Sequence, residues 1–149
     1  MTSRKIIGTL NCLSADYTCM AFDVGRSNTG IAVGNSISRS GRQIGAIAMD
    51  NFFPSCWQEI IDLVIKWQVD FIIVGEPCDT PKTAKKMLGF AKAIHERLHL
   101  PVVLLDESYT TVTARQEILR QKGLKSLTKK NIDSYSALIL IQHWFDLYA

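Results

Sequence analysis

Runs of apolar residues divide the chain into segments of two kinds, short strands and longer helices. Two continuous apolar runs, "DFIIVG" (Asp70–Gly75) and "PVVLLD" (Pro101–Asp106), are typical of strands that are covered on both faces. Earlier in the chain, β-compatible runs predict an antiparallel meander of three strands: Tyr17–Asp23, Thr29–Ile37 and Gln43–Met49. Five strands are therefore expected.

Other segments have the apolar spacing of helices. Ser55 is the predicted N-cap of a helix that continues to Lys66. The other three predicted helices cover about Thr83–Leu98, Thr111–Lys122 and Ile132–Leu147. The order of the elements predicts a mixed α/β sheet with helices packed on it. Four apolar residues of the last helix are predicted to lie in the core: Ile139, Leu140, Trp144 and Phe145. These residues do not establish a dimer, and a homodimer stays an open alternative.

The 149 residues suit one domain. No internal repeat or linker divides the chain, so we expect a single domain over residues 17–149 after an N-terminal extension, residues 1–16. That extension only faintly resembles a signal peptide, because Asn11 interrupts its apolar run and no cleavage motif follows. No apolar stretch approaches the ~20 residues needed to span a membrane. The four cysteines lack metal-binding spacing, which indicates free thiols in the cytoplasm.

Positive charge is concentrated in the second half of the chain. The net charge is only +3, but residues 82–130 hold eleven Lys/Arg against four Asp/Glu. This region suits an anionic partner, although a solvated basic surface explains the same pattern.

Acidic residues recur at the predicted ends of strands and at the start of the last helix. Asp23 ends the first strand, Glu76 follows "FIIVG", Asp106-Glu107 ends the last strand, and Asp133 lies in the first turn of the last helix. In open α/β sheets the carboxyl ends of the strands border the ligand crevice, so these acids can converge. Converging carboxylates repel one another unless cations separate them, and Mg²⁺ or Mn²⁺ prefers such oxygen ligands.

Each acid also has a simpler explanation. Asp133 can complement the helix dipole, Asp106 can accept hydrogen bonds in a turn, and Glu76 can be a solvated loop charge. Asp23 is harder to explain in this way, because it follows a long apolar run and precedes Gly25.

Four motifs of the chain resemble those of the YqgF/RuvX family in order and spacing. The matching stretches are "AFDVGRSNTGIAVG", "FIIVGEP", "VVLLDESYTTVTAR" and "NIDSYSALILI". The resemblance covers about Met20 to Tyr148. It implies a ribonuclease H-like fold, with a five-stranded mixed sheet and helices on both faces. It also implies a two-metal nuclease site that uses Mg²⁺ or Mn²⁺.

The resemblance further implies roles for individual residues. Asp23, Glu107 and Asp133 would be catalytic metal ligands, Asp106 would be the partner of Glu107, and Glu76 would be an additional ligand. The implied activity is cleavage of the small-subunit (pre-16S) rRNA precursor in the cytoplasm, and branched DNA is a further candidate substrate.

The chain also departs from the family pattern. Ser27 and Asn28 stand where family members carry a basic residue, and Arg26 is the basic residue present. The usual "DER" reads Asp106-Glu107-Ser108, and "GEPCDTP" replaces a loop that normally contains Asn and Gly. The carboxylates are retained, whereas the groups that grip the substrate are altered.

Basic residues in and around the segments that carry the acidic motifs are predicted to contact phosphates. Those of the second half are Lys82, Lys85, Lys86, Arg115, Arg120, Lys122, Lys125, Lys129 and Lys130. The residues assigned to nucleic-acid binding are Arg26, Arg115, Lys122, Lys129 and Lys130. A non-catalytic nucleic-acid-binding or ribosome-assembly module on the same fold is the main alternative. The Asp-x-Gly element of the first motif also occurs in actin-like ATPases. Those proteins need two such domains to hold ATP, and 149 residues provide one, which disfavours this function.

Overall fold

A computed structural model gives the structure of residues 4–11, 15–76, 80–106, 120 and 129–148. The strands in this part of the chain are β1 (Arg4–Ile7), β2 (Thr18–Val24), β3 (Asn28–Asn35), β4 (Ser40–Asp50), β5 (Phe53–Pro54), β6 (Phe71–Glu76) and β7 (Val102–Asp106). The helices are α1 (Trp57–Trp67), α2 (Pro81–Leu98) and α3 (Lys129–Leu147). The predicted helix Thr111–Lys122 lies, but for one residue, outside the described residues.

The seven described strands form one mixed sheet in the order β1-β7-β6-β2-β3-β4-β5. Strands β2, β6 and β7 are parallel neighbours, and β3, β4 and β5 continue from β2 as an antiparallel meander. The expected count of five strands is wrong, because β1 pairs with the outer edge of β7 and β5 pairs with β4. Strands of four and two residues carry no alternation pattern of their own, and tertiary pairing alone defines them.

The other predicted elements that fall within the described residues are confirmed with small shifts at their ends. The meander corresponds to β2–β4, and the two buried runs correspond to β6 and β7. The N-cap of α1 is Cys56 and not Ser55, and it makes no side-chain capping hydrogen bond. The Ser55 N–H instead donates to the carbonyl of Ala48 (3.1 Å), which ties Ser55 to β4.

Helices cover both faces of the sheet, and each face has its own apolar core. Helices α1 and α2 cover one face, where Phe22 and Val74 are buried. Helix α3 covers the opposite face, against Ala21 and Ile73. Because successive strand residues point to opposite faces, the same three parallel strands supply both cores.

Helix α3 runs antiparallel to β2 across the second face. Near the C-terminal end of α3, the Trp144 Nε1–H donates to the Tyr17 hydroxyl immediately before β2 (2.9 Å). Nearer the N-terminal end, the Ser134 hydroxyl donates to Gln43 Oε1 in β4 (2.9 Å). Gln43 is in register with Ala32, which lies opposite the middle of β2. The first turns of α3 therefore lie towards the carboxyl end of β2.

Three glycines allow α3 to lie close to the sheet. A Cβ on Gly34 would come within 2.6 Å of Ile141 Cγ2, and a Cβ on Gly41 within 2.8 Å of the same atom. A Cβ on Gly75 would come within 2.9 Å of Leu140 Cδ1. Real Cβ atoms do not approach other carbons so closely, so larger residues would push the helix away from the sheet.

The apolar residues predicted for the core of the last helix are all buried, and Leu140, Trp144 and Phe145 pack in the core between α3 and the sheet. Packing within the chain accounts for these apolar residues, and the homodimer stays a prediction. Among the described residues, no helix is both long and apolar enough to cross a membrane.

Replacing Gly34 by alanine is expected to lower the free energy of unfolding by about 1–3 kcal/mol, because the new methyl group overpacks Ile141. Urea unfolding followed by circular dichroism measures the change. The matched control is Gly89→Ala in α2, where no atom lies within 4 Å of the added Cβ. Alanine there should raise the free energy of unfolding by about 1 kcal/mol through its helix propensity. Equal effects of the two substitutions would contradict the close contact of α3 with the sheet.

Candidate metal and nucleic-acid site

Three acidic positions lie at one edge of the sheet, at the carboxyl ends of the parallel strands. Asp23 is the second-to-last residue of β2, and Glu76 and Asp106 are the last residues of β6 and β7. Phe22 is in register with Val74, and Glu76 with Asp106. Because neighbouring strands are about 4.8 Å apart, the three backbone positions form a compact group. We call this region the carboxyl edge.

The side chain of Asp23 is half-buried and faces α3. Cys19 and Ala21, at alternate positions of β2, are buried against that helix, and Asp23 continues the same face. The cross-strand partner of Asp23 in β3 is Gly30, and the neighbouring position in β6 is Gly75. Neither neighbour places a side chain beside the carboxylate, and Leu140 of α3 fills the space above Gly75.

A tight turn connects β2 to β3 after Val24, the residue that follows Asp23. The Gly25 N–H donates to Thr29 Oγ1 (3.4 Å), and Thr29 is fully buried. A Cβ on Gly25 would collide with the carbonyl oxygen of Asn28, so the turn requires glycine. This turn places Arg26 immediately beyond the acidic strand end.

Helix α3 brings a further acidic position towards the carboxyl edge. Asp133 is the fifth residue of α3 and not in its first turn as predicted, because the helix begins at Lys129, three residues before the predicted start. It directly precedes Ser134, which contacts β4. Because the first turns of α3 lie towards the carboxyl end of β2, the backbone of Asp133 lies on the face of the sheet to which Asp23 points. Four separate elements thus contribute acidic positions to one region.

Several predicted site residues lie outside what the structure describes. Glu107, Arg115 and Lys122 are outside the described residues. The backbone is described but the side chain is not for Glu76, Asp106, Lys129, Lys130 and Asp133. Among the described side chains, no group of three or more His, Cys, Asp or Glu could hold a metal ion. Within the predicted set of acids, the described side chain is that of Asp23.

A pocket of about 280 Å³ lies next to the carboxyl edge. The described residues that line it, which we call the basic pocket, are Arg26, Asn51, Phe52, Lys82, Thr83 and Lys86. The lysines belong to the basic region that the sequence indicated. The sequence did not connect Asn51 and Phe52 with this region. In the sequence, the pair Asp50-Asn51 indicates a turn, but it does not indicate which residues that turn contacts in the fold.

Comparison with known proteins gives one family and several relatives. The family model RuvX, described as Holliday junction resolvase, matches residues 17–147. A Haemophilus ducreyi protein named "Putative pre-16S rRNA nuclease" is 35% identical over 133 residues, which cover 87% of this chain and 96% of that protein. A protein of the same name from Buchnera aphidicola is 34% identical over 133 residues, which cover 87% of this chain and 98% of that protein.

Solved structures of resolvases have a similar fold. The fowlpox virus Holliday junction resolvase matches with a TM-score of 0.56 at 17% identity, over 89% of this chain and 99% of that one. RuvC of T. thermophilus, solved in complex with a Holliday junction substrate, matches with a TM-score of 0.53 at 13% identity, over 88% of this chain and 94% of that one. These likenesses show a RuvC-like mixed α/β fold.

The evidence for the family comes from the sequence matches and not from the fold alone. The family model spans nearly the whole chain, and the relatives are about as long as the chain itself. The chain belongs to the RuvX family.

Proposed function

We propose that the chain is a divalent-metal-dependent endonuclease that hydrolyses phosphodiester bonds of the pre-16S rRNA precursor in the cytoplasm. The observation that carries the proposal is that three adjacent parallel strands each carry an acidic residue at the carboxyl end, Asp23, Glu76 and Asp106. The name shared by relatives at 34–35% identity supports RNA as the substrate. Branched DNA is the second candidate substrate, since the similarity to the Holliday junction resolvases is one of fold.

The acidic positions fit divalent cations. Carboxylates gathered at one edge repel one another unless a cation lies between them, and Mg²⁺ or Mn²⁺ prefers oxygen ligands. Asp23, Glu107 and Asp133 would hold two ions, with Asp106 beside Glu107 and Glu76 as an additional ligand. Such ions, when bound, activate a water molecule and stabilise the leaving oxygen.

The fold supports this chemistry by holding Asp23 in place. Strand β2 is hydrogen-bonded to β3 on one side and to β6 on the other, so the carboxylate needs little reorganisation to bind a ligand. The three histidines lie far from the carboxyl edge. His95 and His99 are at the C-terminal end of α2, and His143 is near the C-terminal end of α3. Proton transfer at the edge would therefore fall to carboxylates and water.

A non-catalytic nucleic-acid-binding module, for example in ribosome assembly, is the second candidate function. It is favoured by Ser27 and Asn28, which replace the basic residue expected at this point of the family motif. Such a module would bind nucleic acid through the same basic surface but would not cleave it.

Substitution of Asp23 by asparagine is expected to reduce metal-dependent cleavage at least about 100-fold, because it removes a charged oxygen ligand without changing the size of the side chain. The assay incubates end-labelled pre-16S rRNA, or a labelled four-way DNA junction, with the protein and Mn²⁺ or Mg²⁺. The cleavage products are separated on denaturing gels.

The matched control for this assay is Asp146→Asn, which removes the same charge from an exposed position at the other end of α3. It should cleave as the wild type does. Binding of either nucleic acid without metal-dependent cleavage by the wild type would contradict the nuclease and support the binding module. Cleavage of the junction but not of the RNA would replace the proposed substrate.

Glu76 is expected to contribute to metal binding from the end of β6, next to Asp106. We expect Glu76→Gln to lower the cleavage rate and to raise the Mn²⁺ concentration required for half-maximal rate. Titration of the rate with Mn²⁺ measures both effects. An unchanged rate at every Mn²⁺ concentration would exclude Glu76 from the site and leave the role of Asp23 intact.

A further inference from the structure

The basic pocket has no role in metal binding, and its chemistry suits an anion. We propose that it binds a phosphate group of the nucleic-acid backbone, next to the bond that is cleaved. The assignment rests on the proposed function for the identity of the anion. The pocket itself is defined by the described residues and their charges.

The lining of the pocket is strongly cationic. Three of its six described lining residues are Arg26, Lys82 and Lys86, and the other three are uncharged. No acidic residue is among the described lining, and the first turn of α2 contains none. A phosphate oxygen in this pocket would therefore meet charged donors from several directions, which favours short, charge-assisted hydrogen bonds.

Three separate elements build the pocket, and backbone hydrogen bonds join two of them. Arg26 belongs to the β2–β3 connection, and Phe52 belongs to the turn between β4 and β5. The Phe52 N–H donates to the carbonyl of Arg26 (3.2 Å), and the Met49 N–H donates to the carbonyl of Ser27 (2.8 Å). These bonds fix the backbone from which the arginine side chain extends.

The third element, α2, is joined to the same turn by a lysine. Lys86 Nζ donates to Asn51 Oδ1 (2.7 Å) and lies 5.5 Å from the centre of the Phe52 ring. Asn51 and Phe52 both have positive φ angles, 49° and 67°, in the tight turn between β4 and β5. The ammonium group is therefore positioned before any ligand binds, which lowers the entropy cost of binding.

The N-terminus of α2 adds to the positive potential. Thr80 is the N-cap and accepts a hydrogen bond from the Thr83 N–H (3.1 Å), and Pro81 opens the helix. Lys82 follows in the first turn, so its side-chain charge reinforces the partial positive charge of the helix end.

The position of the pocket connects it to the carboxyl edge. Arg26 follows Asp23 by three residues, and Lys82 follows Glu76 by six. Both cations thus extend from the segments that leave the acidic strand ends. A strand with one phosphate in the basic pocket would pass over the acids, which would otherwise repel it. The pocket would supply the charge that Ser27 and Asn28 do not provide.

The test compares two lysines of the same helix. Lys82→Gln removes a charge from the pocket, whereas Lys92→Gln removes the same charge from an exposed position of α2 outside it. Arg26→Gln is the second pocket variant. Lys86 is left intact because its contacts with Asn51 and Phe52 support the turn. Thermal unfolding by circular dichroism verifies that each variant is folded.

Fluorescence anisotropy measures the binding of a labelled single-stranded RNA and of DNA of the same sequence, in EDTA so that no cleavage occurs. Each pocket variant should lose one phosphate contact. The plot of log association constant against log salt concentration should then fall less steeply, its slope changing by about 0.7, and binding should weaken about fivefold at roughly 0.1 M salt. Lys92→Gln should keep the wild-type slope and affinity. The effect should be the same for RNA and DNA, because phosphates carry no base sequence.

Wild-type affinity and slope in Lys82→Gln and Arg26→Gln would overturn the proposal, even if the wild type cleaves RNA. If inorganic phosphate at high concentration displaces neither the RNA nor the DNA, that result would also count against a phosphate site. If the pocket variants lose affinity but the wild type never cleaves, the basic pocket stands and the nuclease function fails. The two proposals can therefore be separated.

Discussion

Helix α3 packs directly against the backbone of the sheet, and this close contact sets the positions of the elements around it. Gly34, Gly41 and Gly75 leave no space for a side chain between the strands and the helix. Because α3 also runs antiparallel to β2, its depth and direction determine how near the backbone of Asp133 comes to Asp23. Packing between α3 and the sheet therefore controls the arrangement of groups at the carboxyl edge.

Opposite charges are arranged side by side at this edge. The parallel strands end in acids, and the segments that follow them carry Arg26 and Lys82. In our proposals the acids hold metal cations and the basic pocket holds the phosphate backbone. The metal cations offset the repulsion among the carboxylates, and the basic pocket offsets the repulsion between the carboxylates and the phosphates. A nuclease needs both, since its substrate and its active-site carboxylates carry charge of the same sign.

The sequence predicted the elements that have a strong pattern of their own. The runs that became β2, β6 and β7 are continuously apolar and end in acids, so both the strands and the positions of Asp23, Glu76 and Asp106 followed from the sequence. Strands β1 and β5 did not, because only pairing with a neighbour defines them. The basic pocket also required the structure, since Asn51 and Phe52 reach it through a turn whose neighbours are distant in sequence.

Acids from separate elements are expected to form a divalent-metal site at the carboxyl edge. Calorimetric titration of the metal-free protein with Mn²⁺ measures this binding without any substrate. The wild type and Asp146→Asn should bind Mn²⁺ alike. Asp23→Asn should bind more than about tenfold more weakly, because even groups that only support metal ligands contribute about 10–100-fold. Equal Mn²⁺ affinity of the wild type and Asp23→Asn, or no binding by the wild type, would show that these acids do not form a metal site.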